Sequence, residues 1–205
     1  MPPRLPDRLR LPLEFEPAAL AADLAAVESA GWTEHFVKQN YDGDWSAIAL
    51  RAPRGETHPL RMIYSDPGCS DFVDTPALAA APYLRQGLAA FACPLLSARL
   101  MRLAPGSLIK EHKDHDLAYE EGKVRIHIPV LTNERVDFSL NGVRCVMPAG
   151  STWYLRLCDP HSVANRGTGA RVHLVIDAAV NAWLAGLVAR AAARNTAGRL
   201  DRRGR

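Results

Sequence analysis

Short apolar alternations fill the middle of the chain, while alanine- and leucine-rich stretches with helical spacing occupy its two ends. Period-two patterns bounded by turn residues predict strands over 45–50, 60–64, 100–103, 108–110, 124–130, 136–140, 143–147, 152–157 and 172–176. Between two of these, Asn141-Gly142 supplies two residues that tolerate positive φ, so the stretch reads as a type I′ hairpin. Near the N-terminus, Pro17 opens a helix at the one position where its missing N–H costs nothing. Leu20, Leu24 and Val27 form its inner stripe, and Gly31 stops it. Thr75 before Pro76 reads as an N-cap, Pro82 breaks that helix after a short turn, and a helix over 83–91 turns Leu84, Leu88 and Phe91 inward. The last helix opens after Asp177 as its N-cap, carries Trp183, Leu184, Leu187 and Val188 toward the core, and frays in an arginine-rich tail. No segment repeats at a fixed period. The pattern is that of a mainly β single domain over 1–205, an antiparallel sandwich or barrel with α-helices at both ends. Its parts are a helical flank at 1–44, a β core at 45–177, and a helix with a basic tail at 178–205.

Composition narrows the class. With 205 residues, 48% of them apolar and 23% charged, the chain can bury one core of useful size. The net charge of +3 comes from the stretch 190–205, where six arginines face one aspartate, so the body is slightly acidic and not a nucleic-acid-binding surface. No apolar run reaches the roughly 18–20 residues a bilayer span needs, which predicts no membrane partner. Residues 1–12 lack the apolar stretch of a secretory signal, and a cytoplasmic location is the expectation. Cys69, Cys93, Cys145 and Cys158 show no C-x-x-C spacing and read as reduced, partly buried thiols.

Chemistry concentrates in the β-rich middle. On an extended strand His112 and Asp114 face the same way while Lys113 points back, so His-x-Asp can offer an imidazole nitrogen and a carboxylate oxygen to one ion. His161, just after the turn at Asp159-Pro160, is the candidate third ligand. Two histidines and a carboxylate on one face of an octahedron leave positions open, the arrangement of non-haem Fe(II) oxygenases; zinc and ordinary satisfied histidines are the rival readings. His115 points away from Asp114 and stays outside the metal set, while Asp116 reads as a support for a ligand or a turn cap. Ten residues beyond His161, Arg171 shares a strand face with His173. Directed into a barrel, it would need a carboxylate partner, whereas at a strand's start it could equally be solvated. Asn165 reads as a turn-shaping residue. Of Trp153 and Tyr154, one belongs in the core and the other can line a cavity.

These residues fall in four ordered blocks: Arg99 to Ser107 leading to His112-Lys113-Asp114, then Arg125-Ile126-His127-Ile128-Pro129, His161-Ser162-Val163-Ala164-Asn165, and Arg171 to Asp177. Together they resemble the aspartyl/asparaginyl β-hydroxylase family of 2-oxoglutarate- and Fe(II)-dependent dioxygenases, which also contains bacterial hydroxylases of proline. The resemblance implies a double-stranded β-helix, a cupin-like jelly roll, for the core. It implies His112, Asp114 and His161 as catalytic iron ligands and Arg171 as partner of the distal carboxylate of 2-oxoglutarate. Arg125 and His127, two residues apart on a strand and so on one face, would lie near the co-substrate and substrate carboxylates. Arg102 is a weaker substrate-side candidate.

The implied activity is hydroxylation of an aliphatic carbon of an amino acid, free or in a short peptide, with Fe(II), 2-oxoglutarate and O2. Two other classes stay open. A non-catalytic cupin-like module binding a metal or small molecule would keep the fold without turnover, although the intact ligand and arginine positions speak against such decay. A factor using the basic tail would need it to bind phosphate, and a solvated tail is the simpler reading. Neither oligomeric state nor substrate identity can be read from the sequence.

Overall fold

The computed structural model describes residues 5–115 and 117–201, with side chains through Asn195; Asp116 and the last arginines of the tail lie outside it. Strand β1 (Arg8–Glu14) precedes helix α1 (Pro17–Val27), and two short strands, β2 (Thr33–Glu34) and β3 (Tyr41–Asp42), lead to β4 (Trp45–Pro53). Helix α2 (Pro59–Ile63), strand β5 (Phe72–Asp74) and helices α3 (Pro76–Ala79) and α4 (Pro82–Ala89) come next. The β core then runs through β6 (Leu95–Leu103), β7 (Leu108–His112), β8 (Lys123–Leu131), β9 (Val136–Leu140), β10 (Val143–Cys145), β11 (Ser151–Leu155), β12 (His161–Asn165) and β13 (Arg171–Ala179). Helix α5 (Ala182–Asp201) closes the described chain.

Two antiparallel sheets face each other. The larger has the order β1-β11-β8-β13-β6-β4-β2, with β5 on β4; the smaller has the order β10-β9-β12-β7-β3. Side-chain alternation gives the larger sheet two covered faces. On its outer face Leu100, Ile126, Ile128, Leu174 and Ile176 pack against Leu20, Leu24, Leu84, Leu88, Leu184 and Leu187 from the helices. On its inner face Met101, Leu103, Leu155 and Val175 meet Phe138, Leu140, Val163 and Ile109 of the smaller sheet. The expected hairpin is present, with Asn141 at φ 51° and Gly142 at φ 71°.

Four expectations need correction. The flank at 1–44 is not only helical: β1 pairs with β11 and buries Leu9 and Leu11, and as the sheet's edge it tolerates Pro12, whose ring concealed the strand in the sequence. Residues 60–63, expected with Tyr64 to form a strand, lie in helix α2 instead, because Pro59 sits in its first turn and the run is too short to show a period. The last helix is capped by Asn181, whose Oδ1 accepts the Leu184 N–H at 3.0 Å, and Asp177 lies inside β13. Thr75 stands at an N-cap position, yet its hydroxyl donates to Ala49 O at 2.7 Å and ties α3 to β4 instead.

One glycine secures the helical layer to the sheet. Gly150 has φ +79°, accepts the Phe15 N–H at 2.9 Å, and a Cβ there would lie 2.1 Å from Phe15 O. Gly150→Ala is therefore expected to cost about 2–4 kcal/mol, since both backbone strain and displacement of β1 are imposed. Urea unfolding would measure this, and a loss below about 0.5 kcal/mol would show that the contact yields freely.

Candidate metal centre

Ladder register creates the site. In the β7–β12 pair His161 stands opposite His112, and their ring centroids are 4.3 Å apart. Each ring is oriented by its own strand: His112 Nδ1 donates to Lys110 O at 2.8 Å and His161 Nδ1 to Asp159 O at 3.0 Å. Both Nε2 atoms therefore carry lone pairs. Strand β7 ends at His112, so Asp114 is not on a continuous extended strand with it. Its backbone N–H donates to Leu157 O at 2.8 Å, and this bond turns the carboxylate toward the histidines, with Oδ1 3.6 Å from His112 Nε2. Ligand atoms from His112, Asp114 and His161 all lie within 4.8 Å of one another. Burial pushes the His161 imidazole below its ordinary pKa, which keeps it an unprotonated donor. Two imidazole nitrogens and one carboxylate suit a divalent first-row metal, and the set fits Fe(II).

The metal cluster opens onto a chamber of about 350 Å³ between the sheets. The inward face of β13 carries Arg171, His173, Val175 and Asp177, all buried, and of these Arg171, Val175 and Asp177 line the chamber. Arg171 Nη2 donates to His173 Nδ1 at 2.8 Å, and its Nε has no hydrogen-bond partner. Among the described residues no carboxylate pairs with this guanidinium, and burial pulls its pKa down to about 9. His173 Nδ1, already accepting from Arg171, lies 3.3 Å from His127 Nδ1, and His127 Nε2 is buried without a partner among the described residues. Burial, with Arg171 adding to it, holds both histidines well below their ordinary pKa and hence neutral.

Arg125 reaches the chamber but is not free. Its Nε and Nη2 donate to Asp177 at 2.6 and 2.9 Å, and its Nη1 donates to Asp114 Oδ2 at 2.5 Å. Burial alone would lower its pKa, yet Asp177 and Asp114 outweigh that and raise it. Arg125 therefore lines the chamber with its charge already balanced by two protein carboxylates, unlike Arg171. Arg102 stands elsewhere. It lies on the outer face of β6, donates to Asp44 at 3.1 Å and stacks over the Trp32 ring at 4.6 Å, away from the chamber.

Several other residues find places near these. His115 borders the chamber mouth, outside the metal set, and Tyr154 is in the core. Trp153 does not line the chamber, and its Nε1 donates to Ser151 Oγ at 2.8 Å. Asn165 is buried and bonds Leu103 O and Gly169 O, shaping the turn after β12. The sequence reading missed three chamber residues. Arg99 is buried and donates to Asp177 and Ile63 O. Asp177 was masked by its resemblance to a helix cap. His35 stacks on Trp45 with centroids 3.5 Å apart, and burial, reinforced by Arg99 and Arg125, pushes its pKa down to about 3. A basic residue on the inward-facing positions of β6, as on those of β8 and β13, was the available signal for Arg99; none pointed to His35.

Fold and site together define a cupin-like jelly roll with a two-histidine, one-carboxylate cluster facing a buried arginine. The chain belongs to the aspartyl/asparaginyl beta-hydroxylase family, whose model matches residues 16–180. It is 27% identical over 168 residues to L-proline cis-4-hydroxylase of Rhizobium meliloti (strain 1021), covering 80% of this chain and 58% of that protein. The chain thus spans somewhat over half the length of that relative. Among solved structures, the carbocyclase SnoK from nogalamycin biosynthesis aligns with a TM-score of 0.54 at 14% identity, over 84% of this chain and 79% of that one. A Pseudomonas putida prolyl-4-hydroxylase gives 0.51 at 12% identity, over 85% of this chain and 93% of that one. At such identities the likeness is one of fold. No helix among the described residues is long and apolar enough to cross a membrane.

Proposed function

We propose that this chain is a 2-oxoglutarate- and Fe(II)-dependent hydroxylase of an aliphatic carbon in an amino acid, free or within a short peptide, working in the cytoplasm. The observation that carries this reading is Arg171: a buried guanidinium with no carboxylate partner among the described residues, in the same chamber as His112, Asp114 and His161. Burying an unpaired cation is costly, so a site retaining one is built for an anion that arrives from solution. The planar fork of Arg171 matches the distal carboxylate of 2-oxoglutarate, and His127, whose Nε2 has no partner among the described residues, lines the same chamber. His112, Asp114 and His161 would hold the iron. When bound, Fe(II) supplies the chemistry by which O2 and 2-oxoglutarate place one oxygen atom in a C–H bond, with succinate and carbon dioxide as the other products.

The chain's own part is placement and exclusion of water. His35, Phe36, Trp45 and Tyr64 form an aromatic wall of the chamber. Such a wall favours a substrate with a compact apolar body, and the likeness to a proline hydroxylase supports a cyclic amino acid among the first to try. Anaerobic addition of Fe(II) and 2-oxoglutarate is expected to produce a visible charge-transfer band in the wild type and none in Asp114→Ala. Succinate release would then rank amino acids and short peptides. A folded wild type that shows no band would rule the reading out.

A further inference from the structure

Asp177 is the most heavily bonded carboxylate in the chamber, and the proposed function gives it no task. Oδ2 accepts from Ser65 Oγ at 2.5 Å, Ser97 Oγ at 2.9 Å, Arg99 Nη2 at 2.7 Å and Arg125 Nη2 at 2.9 Å, while Oδ1 accepts from Arg125 Nε at 2.6 Å. The contact with Arg125 is built into the sheet, since Asp177 and Arg125 are opposite one another in the β13–β8 register. Gripped along its Nε–Nη2 edge, Arg125 can present only its Nη1 side to Asp114, and there it donates to Oδ2. The other oxygen of Asp114, Oδ1, is the one that faces His112 Nε2. The group of four is also charge-balanced, with Arg99 and Arg125 against Asp114 and Asp177. Without Asp177, two buried cations would stand beside a site meant for a dication, in surroundings that screen charge poorly.

We infer that Asp177 is a positioning residue of the metal centre: through Arg125 it fixes the outer oxygen of Asp114, leaving one oxygen for the metal, and it cancels the arginine charge that would oppose a cation. The inference rests on His112, Asp114 and His161 being the metal ligands. It differs from a purely structural role in one respect, because the larger part of the effect of Asp177 on metal binding must pass through Arg125, with Arg99 contributing a lesser share through its charge alone.

Co(II) titration of the apoprotein, without 2-oxoglutarate or O2, tests this by affinity and by the visible d–d bands. Asp177→Asn is expected to bind Co(II) about 10–100-fold more weakly, with altered band positions. Arg125→Met removes the unpaired charge, so in that background the same substitution should change affinity less than about 3-fold, the signature of action through Arg125. Arg125→Lys, which keeps the charge but loses the fork, should also weaken binding and shift the bands, and it serves if Asp177→Asn does not fold. The inference is overturned if folded Asp177→Asn, or Arg125→Lys in its place, binds Co(II) within about 2-fold of wild type with unchanged bands, or if the loss is equal in both backgrounds. Wild-type protein that binds no Co(II), matching His161→Ala, would instead remove the metal-ligand reading and this inference with it.

Discussion

Arg171→Leu is expected to weaken 2-oxoglutarate binding by about 10²–10³-fold, because a charge-assisted bidentate contact in a desolvated pocket is lost. The same substitution should leave the protein about 1–2 kcal/mol more stable. Arg171 is buried with its Nε unpartnered, a neutral histidine beside it and the Phe138 ring 5.9 Å away, so replacing it with an apolar side chain removes a charge that no carboxylate among the described residues compensates. Structural residues seldom behave this way, since truncating a paired buried group destabilises. The combination of higher stability with lost affinity is the mark of a residue kept for a ligand. Equilibrium urea unfolding and titration of 2-oxoglutarate into the anaerobic Fe(II) protein read the two halves separately. Wild-type co-substrate affinity in the folded variant would sink the assignment of Arg171. Arg171→Lys should fall between, retaining the charge but not the planar fork.

Stability is expected to collapse in mild acid. His35, His127 and His173 are all held neutral in the folded chain, each first by burial and then by nearby arginines. Their folded pKa lies below the unfolded value of 6.5, so as pH falls through 6.5 the unfolded chain takes up protons that the folded chain refuses. The unfolded state binds more protons in that window, and stability drops with falling pH. At about pH 5 each such histidine withdraws about 2 kcal/mol, or about 6 kcal/mol for the three, comparable with the whole stability of an ordinary domain. Urea unfolding between about pH 7.5 and pH 5 should therefore show a steep decline, shallower in His173→Gln, which removes one of the three protonation sites. A flat profile over that range would mean that the imidazoles find acidic partners on protonation.

Much of this molecule was legible in one dimension. Alternation along β6, β8 and β13 told which residues face the helices and which face the chamber, because a strand's side-chain period of two is fixed by the backbone alone. The pairing of Arg125 with His127 on one face and the Asn141-Gly142 turn came from the same local rules, whereas Asp114 reaches the histidines through the turn after β7 and not by strand alternation. The short elements were not legible: α2 and β1 carry too few residues, and too much proline, for a period to emerge. What each inward residue does there was also beyond the sequence. Arg125 and Arg171 are the same side chain on adjacent strands with the same orientation. One is neutralised because the β13–β8 register sets Asp177 across from it and the turn after β7 brings Asp114 to its far side. The other has a neutral histidine for a neighbour and, among the described residues, no acid paired with it. Residue types and their facing were set locally, by propensity and period. Whether a buried charge is balanced depends on contacts between residues far apart in sequence, and only the register of the closed sheets decides that.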